Sequence, residues 1–186
     1  VSGEPLAVLD GAWMNPLKTG ATGAVGLDTL ARDDVTNLAV IGSGTQATGQ
    51  LRAAAAVREF ETVRVYSPTK EHRTSFATDF DNRLAATVTP VETAATAVEG
   101  ADAVITATRG SDPVFEADHL DPGTHVTAMG QYHPEKRELD ARTIERATYV
   151  PDLRERAFQD AGSFLAALDA GAIGEDHIHA ELGEVI

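Results

Sequence analysis

Gly42-Ser-Gly-Thr-Gln-Ala47 sets two glycines and an alanine at the spacing Gly-x-Gly-x-x-Ala, after an apolar run over 38–41 and before helix-forming residues from Thr45 onward. Such a turn can bind an anion. Gly42 can take backbone angles that side chains forbid, Gly44 lets a pyrophosphate approach the main chain, and Ala47 lets the following helix pack close to the strand. The unpaired N–H groups at the helix start, around Thr45 and Gln46, then face the phosphates. A tight strand-to-helix turn that binds nothing uses the same residue types; the strand before and the helix after favour a dinucleotide.

A second stretch bears on which dinucleotide. An acid about 20 residues past the glycines usually accepts hydrogen bonds from the adenosine ribose of NAD. Here Tyr66-Ser67-Pro68-Thr69-Lys70 stands in that place and carries no acid. Ser67 and Thr69 can donate hydrogen bonds to a 2′-phosphate, and Lys70 with Arg73 can supply positive charge. This reading favours NADP(H) over NAD(H); the alternative is that Lys70 and Arg73 lie on a solvated helix face. Other candidates are weaker. His177-x-His179 with Glu181 has loose metal-ligand spacing, and no metal is expected. His125 falls inside an apolar strand and reads as a packed or hydrogen-bonded core residue. Lys18-Thr-Gly lacks the glycine-rich lead of a phosphate-binding P-loop.

The elements that must position these residues alternate along the chain. Strands are expected at 38–41, 62–66, 86–89, 101–106, 124–128 and 147–150, and helices at 45–59, 70–82, 91–99, 140–146, 154–158 and 163–170. This order implies an α/β, Rossmann-type doubly wound parallel sheet with helices on both faces. Ligands of such sheets lie beyond the carboxyl ends of the strands, so 42–47, 67–70, 108–110 and 130–133 are the loops to inspect. Ahead of this unit, 5–9 and 12–15 read as a β-hairpin about Asp10-Gly11, and a helix runs from Lys18 to about Asp34. A domain boundary is expected near residue 34.

The charge balance excludes other classes. Acids outnumber bases 29 to 15 over 186 residues, a formal net charge of −14, which argues against nucleic acid. Apolar runs are strand-sized, so no membrane span and no signal peptide is expected, and a cytoplasmic protein is. There is no cysteine, hence no thiolate nucleophile or disulfide. Val1 is not an initiator methionine and the last residues are apolar, so the sequence is expected to be a piece of a longer chain.

With these loops placed, the sequence resembles the ornithine cyclodeaminase/μ-crystallin family, which includes archaeal-type alanine dehydrogenases and cyclic imine reductases. The matching pieces run in order: Lys18-Thr-Gly-Ala-Thr22, Gly42-Ser-Gly-Thr-Gln-Ala47, Ala101-Asp-Ala-Val-Ile-Thr-Ala-Thr108, Gly123-Thr-His-Val-Thr-Ala-Met-Gly130, Pro134-Glu-Lys-Arg-Glu-Leu139 and Ala180-Glu-Leu-Gly-Glu-Val185. The resemblance implies a homodimer in which a nicotinamide domain, 35–170, is inserted into a catalytic and dimerisation domain represented by edge pieces at 1–34 and 171–186. It implies hydride transfer between the nicotinamide and the α-carbon of a small amino acid or cyclic imine, with Thr108 and Gly130 at the nicotinamide ribose and ring.

Two departures qualify the implied catalysis. The family's Arg-Thr-Gly segment uses its arginine for the substrate carboxylate, and this chain has Lys18, a point charge without the two-pronged fork. Ornithine cyclodeaminases carry an aspartate two residues after the glycine at 130, and Tyr132 stands there. Tyrosine, titrating near 10, is a poor base at neutral pH, whereas His133, near 6.5, could serve or could simply face solvent. A dehydrogenase or imine reductase is therefore expected. A true cyclodeaminase and a nucleotide-binding protein without turnover are the alternatives.

An acid-rich surface with only three lysines, Lys18, Lys70 and Lys136, also reads as adaptation to high salt, which screens self-repulsion. The melting temperature is expected to fall as salt is dialysed from molar to about 0.1 M, where the screening length grows to about 10 Å. A melting temperature indifferent to salt would contradict this.

Overall fold

The computed structural model describes residues 3–130 and 132–186. Five strands, β1 (Asn37–Ile41), β2 (Thr62–Tyr66), β3 (Thr87–Pro90), β4 (Ala103–Thr106) and β5 (His125–Ala128), form one parallel sheet in the order β3-β2-β1-β4-β5. Register runs Val40 against Val65 on one side and Ile105 on the other. A parallel sheet covered on both faces requires strands that are apolar throughout. In β1, Leu38 and Val40 enter one core, while Ala39 and Ile41 enter the other.

The first core is closed by α1 (Gly11–Leu30), α2 (Thr45–Val57) and α3 (Lys70–Asp81), through Leu27, Leu51, Ala54, Phe76 and Phe80. The opposite core is closed by α4 (Ala94–Val98), α5 (Ala141–Arg146), α6 (Arg154–Asp160) and α7 (Gly162–Asp169), with Phe164 at its centre. Tyr149 stacks on Phe164 at 5.0 Å and Phe158 meets it edge-on at 5.2 Å.

Two expectations are corrected. Among the described residues no hairpin precedes the first helix: Asp10 caps α1 by accepting from the Ala12 amide at 2.9 Å, so Asp10-Gly11 opens a helix instead of turning a ribbon. Capping and hairpin turns both select Asp-Gly, and here the cap prevails because the following helix packs on α2. Its closeness depends on small residues. A side chain on Gly20 would strike the Gly49 backbone, and one on Gly49 would strike that of Pro16. The expected sixth strand at 147–150 is reduced to a bridge from Tyr149 to Ile178 and does not pair with β5.

At the amino end of the sheet, the Asp102 carboxylate accepts from the Thr36 amide at 3.1 Å, the Asn37 amide at 2.9 Å and Asn37 Nδ2 at 3.1 Å. It also pairs with Arg32 at 2.8 Å, tying the α1–β1 connection to β4. Burial pushes its carboxyl up, but the hydrogen bonds from Asn37 and Thr36 and the charge of Arg32 together hold it below the ordinary 3.8. Its stabilising contribution is therefore present above that value and is lost as pH falls through the lowered folded-state value. Asp102→Asn should cost about 1–3 kcal/mol at pH 7. The difference from wild type in urea unfolding should shrink when pH falls below about 3.9, the unfolded-chain value.

Candidate active site

The order β3-β2-β1-β4-β5 means the chain leaves β1 in one direction and resumes at β4 in the other, and the crevice between those carboxyl ends is where such sheets bind ligands. The glycine turn lies there. Gly42 has φ +123°, a left-handed conformation that favours glycine, and its amide donates to Tyr66 O at 2.8 Å. A Cβ at Gly42 would also collide with the carbonyl of Ala107. Gly44, the N-cap of α2, has ordinary angles and open space where a side chain would stand. The first intrahelical bond of α2 runs from Thr48 N to Gly44 O at 3.0 Å. The amides of Thr45, Gln46 and Ala47 precede it and have no acceptor within the helix. Ala47 is fully buried against the sheet. Gln46 Oε1 is buried with no hydrogen-bond partner among the described residues.

The loop after β2 is tied to this turn. Ser43 Oγ donates to Ser67 Oγ at 2.9 Å, and Ser67 Oγ donates to Thr69 O at 3.3 Å. Ser67 is buried and its proton is engaged, so it braces the loop where the sequence suggested a free donor to phosphate. Thr69 and Lys70 are exposed at the start of α3, beside the acidic Glu71. Arg73 is buried, and its guanidinium donates to Ser67 O at 3.0 Å and Pro68 O at 3.3 Å. A cation therefore lies under the loop instead of on a solvated face.

Thr108 and Gly130 extend from the tips of β4 and β5 and share one partner that the sequence did not single out. Glu138 is 1% exposed. Its carboxylate accepts from Thr106 Oγ1 at 2.7 Å, Thr108 N at 2.5 Å, Thr108 Oγ1 at 2.6 Å and Gly130 N at 2.8 Å. Its surrounding run Pro134-Glu-Lys-Arg-Glu-Leu139 is charged and has no burial signal. Gly130 must be glycine, because a Cβ would strike that carboxylate and lie 2.6 Å from Thr108 O. Gly42, Thr108 and Gly130 thus converge on one crevice, joined through Ala107 and Glu138.

The candidate catalytic residues are not joined to one another. Lys18 is exposed on α1 and lines an open cleft of about 780 Å³, whose other walls include Thr127, Met129 and Thr148. Tyr132 is 70% exposed and His133 is exposed. Among the described residues no hydrogen bond links either to Lys18; His133 Nδ1 accepts from the Glu135 amide at 3.3 Å. His125 is half-buried and lines the same cleft; its Nε2 lies 3.0 Å from Thr127 Oγ1, and burial pushes its pKa down to about 4. His177 Nε2 contacts Ile144 O at 2.7 Å, and the Glu181 carboxylate accepts from the Arg154 amide at 2.7 Å. No cluster of three or more metal-ligating side chains occurs among the described residues.

Comparison with known proteins places these features. A family model described as "Ornithine cyclodeaminase/mu-crystallin family" matches residues 1–186. A Delta(1)-pyrroline-2-carboxylate reductase of Bacillus cereus is 34% identical over 186 residues, covering 100% of this chain and 57% of that protein. The solved structure of Thermococcus litoralis Delta(1)-pyrroline-2-carboxylate reductase in complex with NADH and L-proline superposes with a TM-score of 0.95 at 34% identity, over 99% of this chain and 57% of that one. An archaeal alanine dehydrogenase dimer with bound NAD gives 0.92 at 33% identity, over 99% and 56%. The chain spans a little over half the length of the relatives it matches.

The two turn glycines are expected to separate binding from folding. Gly44→Val meets open space and, at a helix N-cap, should cost no more than about 1 kcal/mol while abolishing any dinucleotide binding in a fluorescence titration. Gly42→Val should instead destabilise the fold by on the order of 3 kcal/mol, through φ strain and collision with Ala107.

Proposed function

The chain belongs to the ornithine cyclodeaminase/mu-crystallin family, and on that footing we propose that it carries the nicotinamide-nucleotide domain of an NAD(P)-dependent oxidoreductase. The reaction is hydride transfer between the nicotinamide and the α-carbon of a small amino acid or cyclic imine. The observation that carries this reading is the crevice between β1 and β4. The pyrophosphate would be held by the backbone of Gly42, Gly44, Thr45, Gln46 and Ala47, where the amides that start α2 have no acceptor within the helix and Gly44 leaves room. The nicotinamide end would lie toward Thr108 and Gly130. When bound, the cofactor supplies the hydride, and the protein orients substrate and moves a proton.

Reduction of a cyclic imine carboxylate needs one hydride at carbon and one proton at nitrogen. It needs no group to handle released ammonia, so Tyr132 in place of an aspartate suits a cyclic imine reductase better than a cyclodeaminase. Relatives named as a pyrroline-carboxylate reductase and an alanine dehydrogenase support the same choice. Lys18, on the cleft that Ala128 and Met129 also line, would attract a substrate carboxylate as a point charge. His133 or Tyr132 would have to be brought to the reacting centre by the remainder of the protein. Their exposure is also what favours the second reading, nucleotide binding without turnover.

We assign residues 35–170 to the nucleotide domain, and 1–34 and 171–186 to the edges of a catalytic and dimerisation domain. Trp13, 76% exposed, and Leu17, 49% exposed, leave an apolar face on α1 for that domain or its partner subunit. A homodimer in the cytoplasm, adapted to high salt, completes the reading; among the described residues no helix is long and apolar enough to cross a membrane.

For the cofactor we favour NADP(H). No acid lies in the loop after β2, Thr69 and Lys70 are exposed at the start of α3, and buried Arg73 sits beneath. The relatives' complexes with NADH and NAD make NAD(H) the competitor. NADPH should bind at least about tenfold more tightly than NADH, and Lys70→Glu should weaken NADPH about tenfold while leaving NADH within about twofold. Tighter NADH binding by the wild type would reverse the assignment. The complete protein should oxidise NADPH with a cyclic imine carboxylate or with pyruvate and ammonia. Tight binding without turnover on either would favour the second reading.

A further inference from the structure

Backbone amides at the tips of parallel strands point out of the sheet and must find acceptors. At the tips of β4 and β5 those of Thr108 and Gly130 converge on one side chain. The Glu138 carboxylate accepts from both amides and from the hydroxyls of Thr106 and Thr108, at 2.5–2.8 Å. Glu138 is itself anchored by its main chain: its carbonyl accepts from the Val114 amide at 2.9 Å, and the Leu139 amide donates to Ser163 Oγ at 3.0 Å. It is 1% exposed and therefore inaccessible to a cofactor in the crevice. No Lys or Arg pairs with it among the described residues, so four donors alone hold it. Charge-assisted bonds of this kind are the strong ones, and they set geometry as well as energy.

The adenosine side of the same crevice is built separately. There Ser43 and Ser67 bond to each other, and Arg73 grips the carbonyls of Ser67 and Pro68. None of these touches Glu138. The crevice therefore has two independently braced ends.

We propose that Glu138 is a positioning residue: its buried carboxylate sets the turns after β4 and β5 at the spacing that receives the nicotinamide end of the cofactor, without contacting the cofactor. This rests on the dinucleotide reading above. Replacing the carboxylate by an amide puts an N–H donor against the Gly130 amide or the Thr108 amide, whichever way it turns, so one turn is released while side-chain size is kept. Because Ala107 packs on Gly42, gross collapse of the β4 tip would disturb the phosphate turn as well. Release of a single turn would not.

The test compares wild-type protein with Glu138→Gln for two probes: the nicotinamide nucleotide that the wild type binds, and its adenine-side fragment, 2′,5′-ADP or 5′-AMP. The variant should bind the whole dinucleotide about tenfold more weakly, the size expected for losing one hydrogen bond to a charged group. It should lose the shift in nicotinamide fluorescence emission on binding, and bind the fragment within about twofold of wild type. Equal weakening of both probes, or no change in either, overturns the proposal. Failure of the wild type to bind any dinucleotide overturns the dinucleotide reading and this inference with it. Should Glu138→Gln not fold, Thr106→Val removes one of the four donors at a fully buried, near-isosteric position. It should show the same split at about two- to threefold, and equal or absent effects on the two probes would overturn the proposal.

Discussion

β1 is hydrogen-bonded along both edges, to β2 and β4, and buried on both faces. Every other element is placed by that constraint. A strand with no exposed face takes apolar side chains over 38–41, alternating between two cores. A strand with two parallel neighbours requires crossovers on both sides, and these put helices on both faces. The chain leaves β1 at its carboxyl end beside the tip of β4, so the residue there must turn sharply without a side chain. Gly42 is that residue, held by φ +123° and by the Ala107 carbonyl.

Two carboxylates pin the sheet from opposite ends. Asp102 collects the amides that begin β1 and pairs with Arg32, while Glu138 collects those that follow β4 and β5. Each answers the same need, since strand ends bury backbone donors that no neighbouring strand satisfies. The two ends differ in consequence. At the amino end the pin stabilises the joint between α1 and the sheet. At the carboxyl end it shapes the crevice in which chemistry is proposed, which explains why a buried acid there is tied to function as well as to stability.

The surface chemistry of the crevice follows from what remains unpaired. At the glycine turn the amides that start α2 have no acceptor within the helix and the oxygen of Gln46 has no partner among the described residues; at the loop after β2 Thr69 and Lys70 are exposed, backed by Arg73. At the tips of β4 and β5 the amides of Thr108 and Gly130 and the hydroxyls of Thr106 and Thr108 are engaged by Glu138, and the exposed Lys18, Tyr132 and His133 are separate. The chain covers 57% of the length of its pyrroline-carboxylate reductase relatives.

Strands, helices and the glycine turn were legible in the sequence because their causes are local: an apolar run, a helical period, a capping residue, a Gly-x-Gly-x-x-Ala spacing. The run 62–66 is a strand as expected, and the helix from Thr45 begins where its spacing implied. Asp10-Gly11 misled because two local structures favour the same dipeptide, and only packing of α1 on α2 chooses between them. The run 147–150 misled because strand propensity does not supply a partner. Glu138, Ser43 against Ser67, and the inward turn of Arg73 left no local trace, since each is defined by residues 6 to 32 positions away in the chain. Sequence alone determined that a glycine turn joins β1 to α2 and where it lies; the tertiary structure decided which polar groups are spent on the fold and which are left unpaired, because hydrogen-bond partners are assigned only when distant strand ends meet.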